Sequence, residues 1–155
     1  MKIGIIVYSQ TGNSQSVAEK LKDRLTEKGH TAEVEQVVPA GEVSPGTKEV
    51  HFKSKPDVEA YEALVFGSPV QAFSLAAAMK AYMMQIGSLK DKKTACFITK
   101  QLPGNWTGGK KALKQLRKFC EARGGTIAAS GIIIWSSKEK ERMINEAVDK
   151  LSALF

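Results

Sequence analysis

The sequence predicts an α/β domain, a doubly wound five-stranded parallel sheet with helices on both faces. Near-continuous apolar runs fall at residues 2–8 (KIGIIVY), 63–67 (ALVFG), 94–99 (TACFIT) and 126–135, unbroken in the way of strands covered on both faces. Amphipathic helical patterns separate them. Strand and helix then alternate along the whole chain with no internal repeat and no boundary-type linker, so one domain covering residues 1–155 is expected.

Each element has its own signal. Residues 31–38 (TAEVEQVV) alternate, with Glu33 and Glu35 on one side, which suits an edge strand with one face partly wet. Val17, Ala18, Leu21 and Leu25 share one helical face, and Gly29 is placed to terminate that helix. Ser74 is positioned to cap a second helix over 75–86, apolar almost all round. Leu113, Leu116, Phe119 and Cys120 form the inner stripe of a third, with Lys110, Lys114, Arg117 and Lys118 on its other side. Met143, Ile144, Ala147, Val148 and Leu151 line a fourth, opened by a capping box at Ser136-Ser137-Lys138-Glu139. The connection 39–62 is rich in Pro, Gly and charge, and nothing in it forces a structure.

The totals narrow the function. At 155 residues, with 43% hydrophobic and 25% charged side chains, the composition is that of an ordinary globular domain. No apolar run is long enough to span a bilayer, and the first strand is too short for a signal peptide, so a cytoplasmic protein with no membrane partner is expected. Cys96 and Cys120 lack CxxC spacing and sit in apolar patterns, so they read as reduced, buried thiols. His30 and His51 are isolated, and no metal is assigned. The net charge of +7 is uneven: residues 90–123 hold ten basic side chains against two acidic ones, leaving −1 for the rest. Such a patch attracts an acidic partner or a phosphorylated ligand. A solvated helix face is the plainer reading. The patch lacks the interleaved aromatics of a nucleic-acid platform, so no nucleic-acid partner is expected.

Chemistry concentrates in Ser9-Gln10-Thr11-Gly12-Asn13-Ser14, between the first strand and the first helix. Unpaired N–H groups and the positive end of the helix dipole converge at such a place. Three hydroxyls and two amides add neutral donors, and Gly12 lets the backbone approach a ligand. Asn13 or Ser14 as a simple helix cap is the alternative, although a cap needs one or two polar residues rather than six. A second glycine-rich segment, Gly104 to Lys110, satisfies GxxxxGK. It is followed by Lys111 where a magnesium-binding hydroxyl is needed, and no later strand ends in a carboxylate, which argues against nucleotide hydrolysis.

The order Ser-x-Thr-Gly-x-Ser after the first strand resembles the phosphate-binding loop of the flavodoxin family, and the likeness extends over the chain through element order, size and a second loop at Gly67-Ser68-Pro69. It implies a flavodoxin-like fold with strand order 2-1-3-4-5 and FMN as cofactor. Ser9, Gln10, Thr11, Gly12, Asn13 and Ser14 would hold the phosphate. Ser68, Pro69, Val70, Gln71, Ala72 and Phe73, with Thr99, Lys100, Gln101, Trp106 and Gly108, would flank the isoalloxazine ring. Trp106 and Phe73 are the candidate stackers, a contact worth about 0.5–1.5 kcal/mol beyond its area; packing as loop anchors is the alternative for both.

The sequence departs from the family pattern at Gln71-Ala72-Phe73, where many flavodoxins have an aromatic, Gly and an acid. The glycine permits a peptide flip, and Ala72 is expected to make a flip into positive φ costlier by about 1 kcal/mol. With Lys100 as the only charge near the ring, this points toward two-electron chemistry. No acid–base pair or nucleophile stands out. The resemblance therefore implies an electron-transferring flavoprotein, with three roles open. These are a carrier docking an acidic redox protein, an NAD(P)H-dependent quinone-type oxidoreductase, and a flavin-free module working through contacts or homo-oligomers of its apolar second helix.

Overall fold

The computed structural model describes residues 1–44, 49–104 and 107–155. The chain runs β1 (Lys2–Val7), α1 (Asn13–Glu27), β2 (Thr31–Gln36), β3 (Val38–Pro39), β4 (Phe52–Ser54), a 3-10 turn (Val58–Ala60), β5 (Ala63–Gln71), β6 (Ser74–Leu75), α2 (Ala77–Met83), β7 (Lys93–Lys100), α3 (Gly109–Ala122), β8 (Ile127–Ile134) and α4 (Lys140–Ser152). Five parallel strands lie in the order β2-β1-β5-β7-β8, which is 2-1-3-4-5 counting only these strands, and β6 adds an antiparallel turn to the end of β5.

The alternation within each strand divides the core. Ile3, Ile5 and Val7 of β1, Val65 of β5 and Phe97 of β7 point toward α1 and α4. Ile6, Leu64, Phe66, Cys96 and Ile98 point toward α2 and α3. Each such side chain fully withdrawn from water contributes roughly 1.5–3 kcal/mol, and the central strands are buried on both faces. α1 buries Val17, Ala18, Leu21 and Leu25 and ends as its sequence requires. Gly29 is left-handed (φ 90°), its N–H reaches the Thr26 carbonyl, and the His30 N–H reaches Leu25, which satisfies the last carbonyls of the helix.

Four expectations are corrected. Gly67-Ser68-Pro69 is not a loop: β5 continues to Gln71, with Ser68 opposite Ile98 and Pro69 opposite Thr99 on β7. The chain tolerates Pro69 because the pairing of β1 with β5 has ended at Gly67, leaving one side of β5 as an edge. The second helix is shorter than expected, because Ser74 and Leu75 fold back on β5 and Ser74 therefore caps nothing. The box at 136–139 forms a turn in which the Glu139 N–H donates to Ser137 Oγ (3.1 Å), and α4 starts afterwards with no side-chain cap. The last strand is an edge with Ile133 as its only buried residue, not a strand covered on both faces.

The connection 39–62 does acquire structure. β3 and β4 form a short ribbon. Phe52 meets the Tyr82 ring edge-on (centroids 6.2 Å apart), and the Tyr82 hydroxyl donates to the Pro56 carbonyl at 2.6 Å, pinning the connection over α2. Next to it the buried Tyr61 directs its hydroxyl at two carboxylates of the edge strand, Glu33 (3.0 Å) and Glu35. Met79, Tyr82 and Met83 of α2 are buried, so the apolar stripe of that helix is core. Among the described residues, no helix is long and apolar enough to cross a membrane.

Two outcomes follow from this packing. Tyr61→Phe leaves Glu33 and Glu35 without their shared hydroxyl, and a loss of about 1–2 kcal/mol is expected in urea denaturation. Burial raises both thiols, Cys96 up to about 12, and Cys120 in the same direction with Cys96 and Glu121 adding to it. In the unfolded chain they ionise near about 8.5. Stability from the neutral thiols is therefore complete below about pH 8.5 and is lost as pH climbs toward the folded values. The urea midpoint should fall over that window, and a disulfide-exchange reagent should leave the native protein unlabelled at about pH 8.

Candidate functional site

Because β1, β5 and β7 are parallel neighbours, their C-terminal ends deliver three segments to one edge of the sheet. The first is residues 8–13. Gly12 occupies the N-cap position of α1 in a left-handed conformation (φ 88°), and it has no side chain to cap the helix. Capping falls to Ser9, whose hydroxyl oxygen accepts from the Gly12 N–H (3.1 Å) and more weakly from the Gln15 N–H (3.4 Å). The Ser16 N–H is the first to bond back into the helix, to Gly12. Among the described residues, the N–H groups of Thr11, Asn13 and Ser14 have no protein acceptor. Neither Asn13 nor Ser14 is a helix cap, so these donors remain available to an anion.

Ser14 has another role. Its side chain is 1% exposed, and its hydroxyl lies 3.0 Å from that of Thr99, which is also 1% exposed. This buried pair fastens the first turn of α1 to the end of β7. Ser68, fully buried between them in sheet order, donates to the carbonyl of Pro69 (3.0 Å).

The second segment is the turn Ala72-Phe73 between β5 and β6. Both residues have positive φ, 48° and 60°, as in two-residue hairpin turns of the primed type. Such turns ordinarily use Gly or Asn, and an L-residue held there costs roughly 1–2 kcal/mol. The cost expected for moving Ala72 into positive φ is therefore already met in this structure. Gln115 of α3 braces the turn by accepting from Ser74 Oγ and the Leu75 N–H, both at 2.9 Å. The Gln71 side-chain oxygen accepts from the Ala77 N–H (3.3 Å) at the start of α2.

The third segment follows β7. Lys100 crosses it, its ammonium donating to the Gly104 carbonyl and to Thr107 Oγ1, both at 2.9 Å. Thr107 passes its own bonds to the carbonyls of Leu102 and Gly104. Desolvation lowers the Lys100 pKa, with the nearby Lys110 charge adding to the effect. Gly108 is left-handed (φ 93°), and a Cβ there would stand 2.4 Å from the carbonyl carbon of Phe73. The second and third segments therefore touch backbone to backbone, and glycine is required by both conformation and space. Trp106 lies outside the described residues.

Between these segments lies a trough made of two adjoining cavities. One, of about 130 Å³, is lined by Gln10, Thr11, Asn13, Pro69, Val70, Thr99, Lys100 and Gln101. The other, of about 170 Å³, shares Val70, Lys100 and Gln101 and continues to Ala72, Phe73, Leu102 and Thr107. Phe73 and Leu102 stand at its mouth, each 52% exposed. Among the described residues, Lys100 is the single charged residue of the lining, which includes no carboxylate. The residues singled out from sequence thus converge, with Ser9, Ser14, Ser68, Gln71 and Gly108 supporting the walls. Leu102 and Thr107, which fall within the segment 99–109 expected beside the ring but are not singled out in it by the sequence, join the lining.

A family model described as a flavodoxin domain matches residues 4–131. No curated protein matches the sequence. Among solved structures the fold is similar to oxidised flavodoxin 2 of Bacillus cereus, at 17% identity, 100% coverage of both chains and a TM-score of 0.73. It is similar to flavodoxin 1 of the same organism at 16% identity, 99% of this chain, 96% of that one and a TM-score of 0.67. A flavoprotein of Lactobacillus acidophilus NCFM, determined in complex with FMN, is similar at 19% identity, 92% and 97% coverage and a TM-score of 0.59. These structures share the fold. The family model spans most of the chain, and the strand order and the loop at the start of α1 agree with it: the chain belongs to the flavodoxin family.

Proposed function

We propose that the chain binds FMN along the trough and serves electron transfer. The observation that carries this reading is the turn at residues 9–14: its Thr11, Asn13 and Ser14 N–H groups have no acceptor among the described residues, and Thr11 and Asn13 line the cavity that adjoins the one reaching Phe73. A phosphate monoester fits there, held by main-chain donors, neutral side chains and the helix dipole with no cation required. Val70, Ala72, Phe73 and Leu102 offer apolar lining to a flat ring, and Gln101 and Thr107 line the same cavity. FMN, when bound, supplies the redox chemistry, and the chain supplies position and electrostatics. Lys100 keeps the lining cationic at neutral pH, which favours a reduced ring carrying negative charge.

Two roles remain distinct within this reading. An electron carrier is favoured by the basic face of α3, which begins beside the trough and could receive an acidic partner. An NAD(P)H-dependent quinone-type oxidoreductase is supported by the open mouth at Phe73 and Leu102, where a planar substrate could reach a ring. A cytoplasmic location suits either role.

Purified protein should be yellow or become so with FMN. Thr11→Leu with Ser14→Leu should lower FMN affinity by at least about 100-fold, read by quenching of flavin fluorescence, because bulk displaces the phosphate and breaks the Ser14–Thr99 pair. Since that variant can lose stability, Thr11→Val alone serves as a milder check. It removes one exposed donor and should weaken binding about five- to tenfold with the melting temperature unchanged. Retained affinity in both would overturn the reading. For the role, FMN-loaded protein given NAD(P)H and a quinone, with no partner reductase, should show no sustained turnover if it is a carrier. Turnover would favour the oxidoreductase.

A further inference from the structure

The cations of the basic segment divide by what their side chains reach. Lys92 and Lys93 lie at the start of β7, the end of the sheet away from the trough, and turn to their own chain. Lys92 donates to the Tyr61 carbonyl, and Lys93 to that of Leu154 (3.4 Å). Arg123 likewise donates to the Met84 carbonyl. The other group is Lys110, Lys111, Lys114, Arg117 and Lys118 on α3. All five are exposed, and among the described residues none makes a side-chain hydrogen bond or ion pair. The opposite layer treats its charges differently: Lys20 pairs with Glu141, Arg24 with Asp149 and Arg142 with Glu139.

Spacing puts Lys110, Lys114 and Lys118 on one line, with Lys111 and Arg117 beside it. Like charges four residues apart repel, so the helix gains nothing internally from this arrangement. The stripe runs from Lys110 to Lys118, about 12 Å at 1.5 Å per residue. It begins at the trough, where Gly109 lies against the aliphatic chain of Lys100. At that end the Phe73 backbone lies against Gly108 and the Leu102 carbonyl accepts from Thr107, with both side chains exposed. An apolar spot bordered by same-sign charge has the make-up of a protein contact rather than of a solvated face. Nucleic acid fits less well, since no exposed aromatic is interleaved with the cations of α3.

We propose that the exposed face of α3, together with Phe73 and Leu102, is the docking surface for a protein with a carboxylate-rich surface, held against the mouth of the trough. The purpose of this contact rests on the FMN reading, but the docking itself needs no flavin.

The test titrates isotope-labelled protein with cytochrome b5 as an acidic probe protein and with cytochrome c as a basic one, following backbone amide shifts. The acidic probe should move residues 110–118 together with Phe73 and Leu102, and the effect should fade as salt is added. Lys110→Glu/Lys114→Glu/Lys118→Glu, all exposed positions, should weaken that binding at least about tenfold with an otherwise unchanged spectrum. Leu102→Ser should weaken it about two- to threefold without altering the salt dependence. Shifts centred elsewhere, equal binding by the triple variant, or equal binding of cytochrome c to this face would each overturn the proposal. Tighter binding of a short single-stranded DNA at the same salt would reassign the face to nucleic acid and overturn it as well. Visible absorbance of the same samples reports FMN independently. A colourless protein that still docks the acidic probe removes the flavin reading and leaves this one standing.

Discussion

The bond between the Ser14 and Thr99 hydroxyls is small in energy and large in consequence. It joins residues 85 apart in sequence, and it is buried at the one place where the first helix, the end of β7 and the trough meet. A parallel sheet fixes strand directions and order but leaves the loops beyond the strands free to wander. Here the first turn of α1 is tied to the sheet by a side chain of its own second residue. The main-chain donors next to it are therefore held in a fixed arrangement facing the trough. With no acceptor among the described residues they would be satisfied by water, and a ligand that replaces that water meets groups already in position.

The site is neutral and the surface beside it is strongly positive, and the two follow from different physics. Backbone donors and hydroxyls grip a phosphate at short range and in one orientation. The exposed cations on α3 act over roughly 8–10 Å at ordinary salt and carry no such geometry. Placing the cations on an outer helix face keeps their charge hydrated, whereas burying them beside the ligand would require partners the lining lacks. Lys100 stands between the two regimes. Among the described residues it is the one cation that enters the trough, and it does so with its ammonium held by Gly104 and Thr107 and its pKa lowered by desolvation.

Much of this was legible in the sequence where a residue pattern has one structural meaning. Continuous apolar runs can be strands of a parallel sheet covered on both sides, and β1, β5 and β7 are. Gly29 reads as a helix end because no other residue takes the left-handed position so cheaply, and it forms the expected pair of terminal bonds. The loop at 9–14 was legible through its excess of neutral donors. What failed was punctuation. Pro69 reads as a loop residue but sits in a strand whose neighbour has stopped, and Ala72-Phe73 carries no turn signal yet makes the turn. The charge cluster failed for another reason: distance along the chain counts Lys92 and Lys110 as neighbours, while β7 carries them to opposite ends of the molecule.

The turn at Ala72 and Phe73 shows why a local rule can be broken at a site. Two left-handed L-residues are unfavourable by themselves, roughly 1–2 kcal/mol each. Their conformation does match the twist of the short β5–β6 hairpin, which any unprimed turn would splay. Gln115 then holds Ser74 and Leu75 from α3, and Gly108 lets the Phe73 backbone come close enough for the two segments to touch. The strain is thus distributed over contacts made by two other elements, and it does not depend on a ligand. A glycine at position 72 would relieve the strain, but it would also free the wall to move, whereas alanine keeps it in one conformation. The trough wall is therefore rigid because of an unfavourable residue. That rigidity links the hairpin, the start of α3 and the apolar spot at the mouth into a single surface.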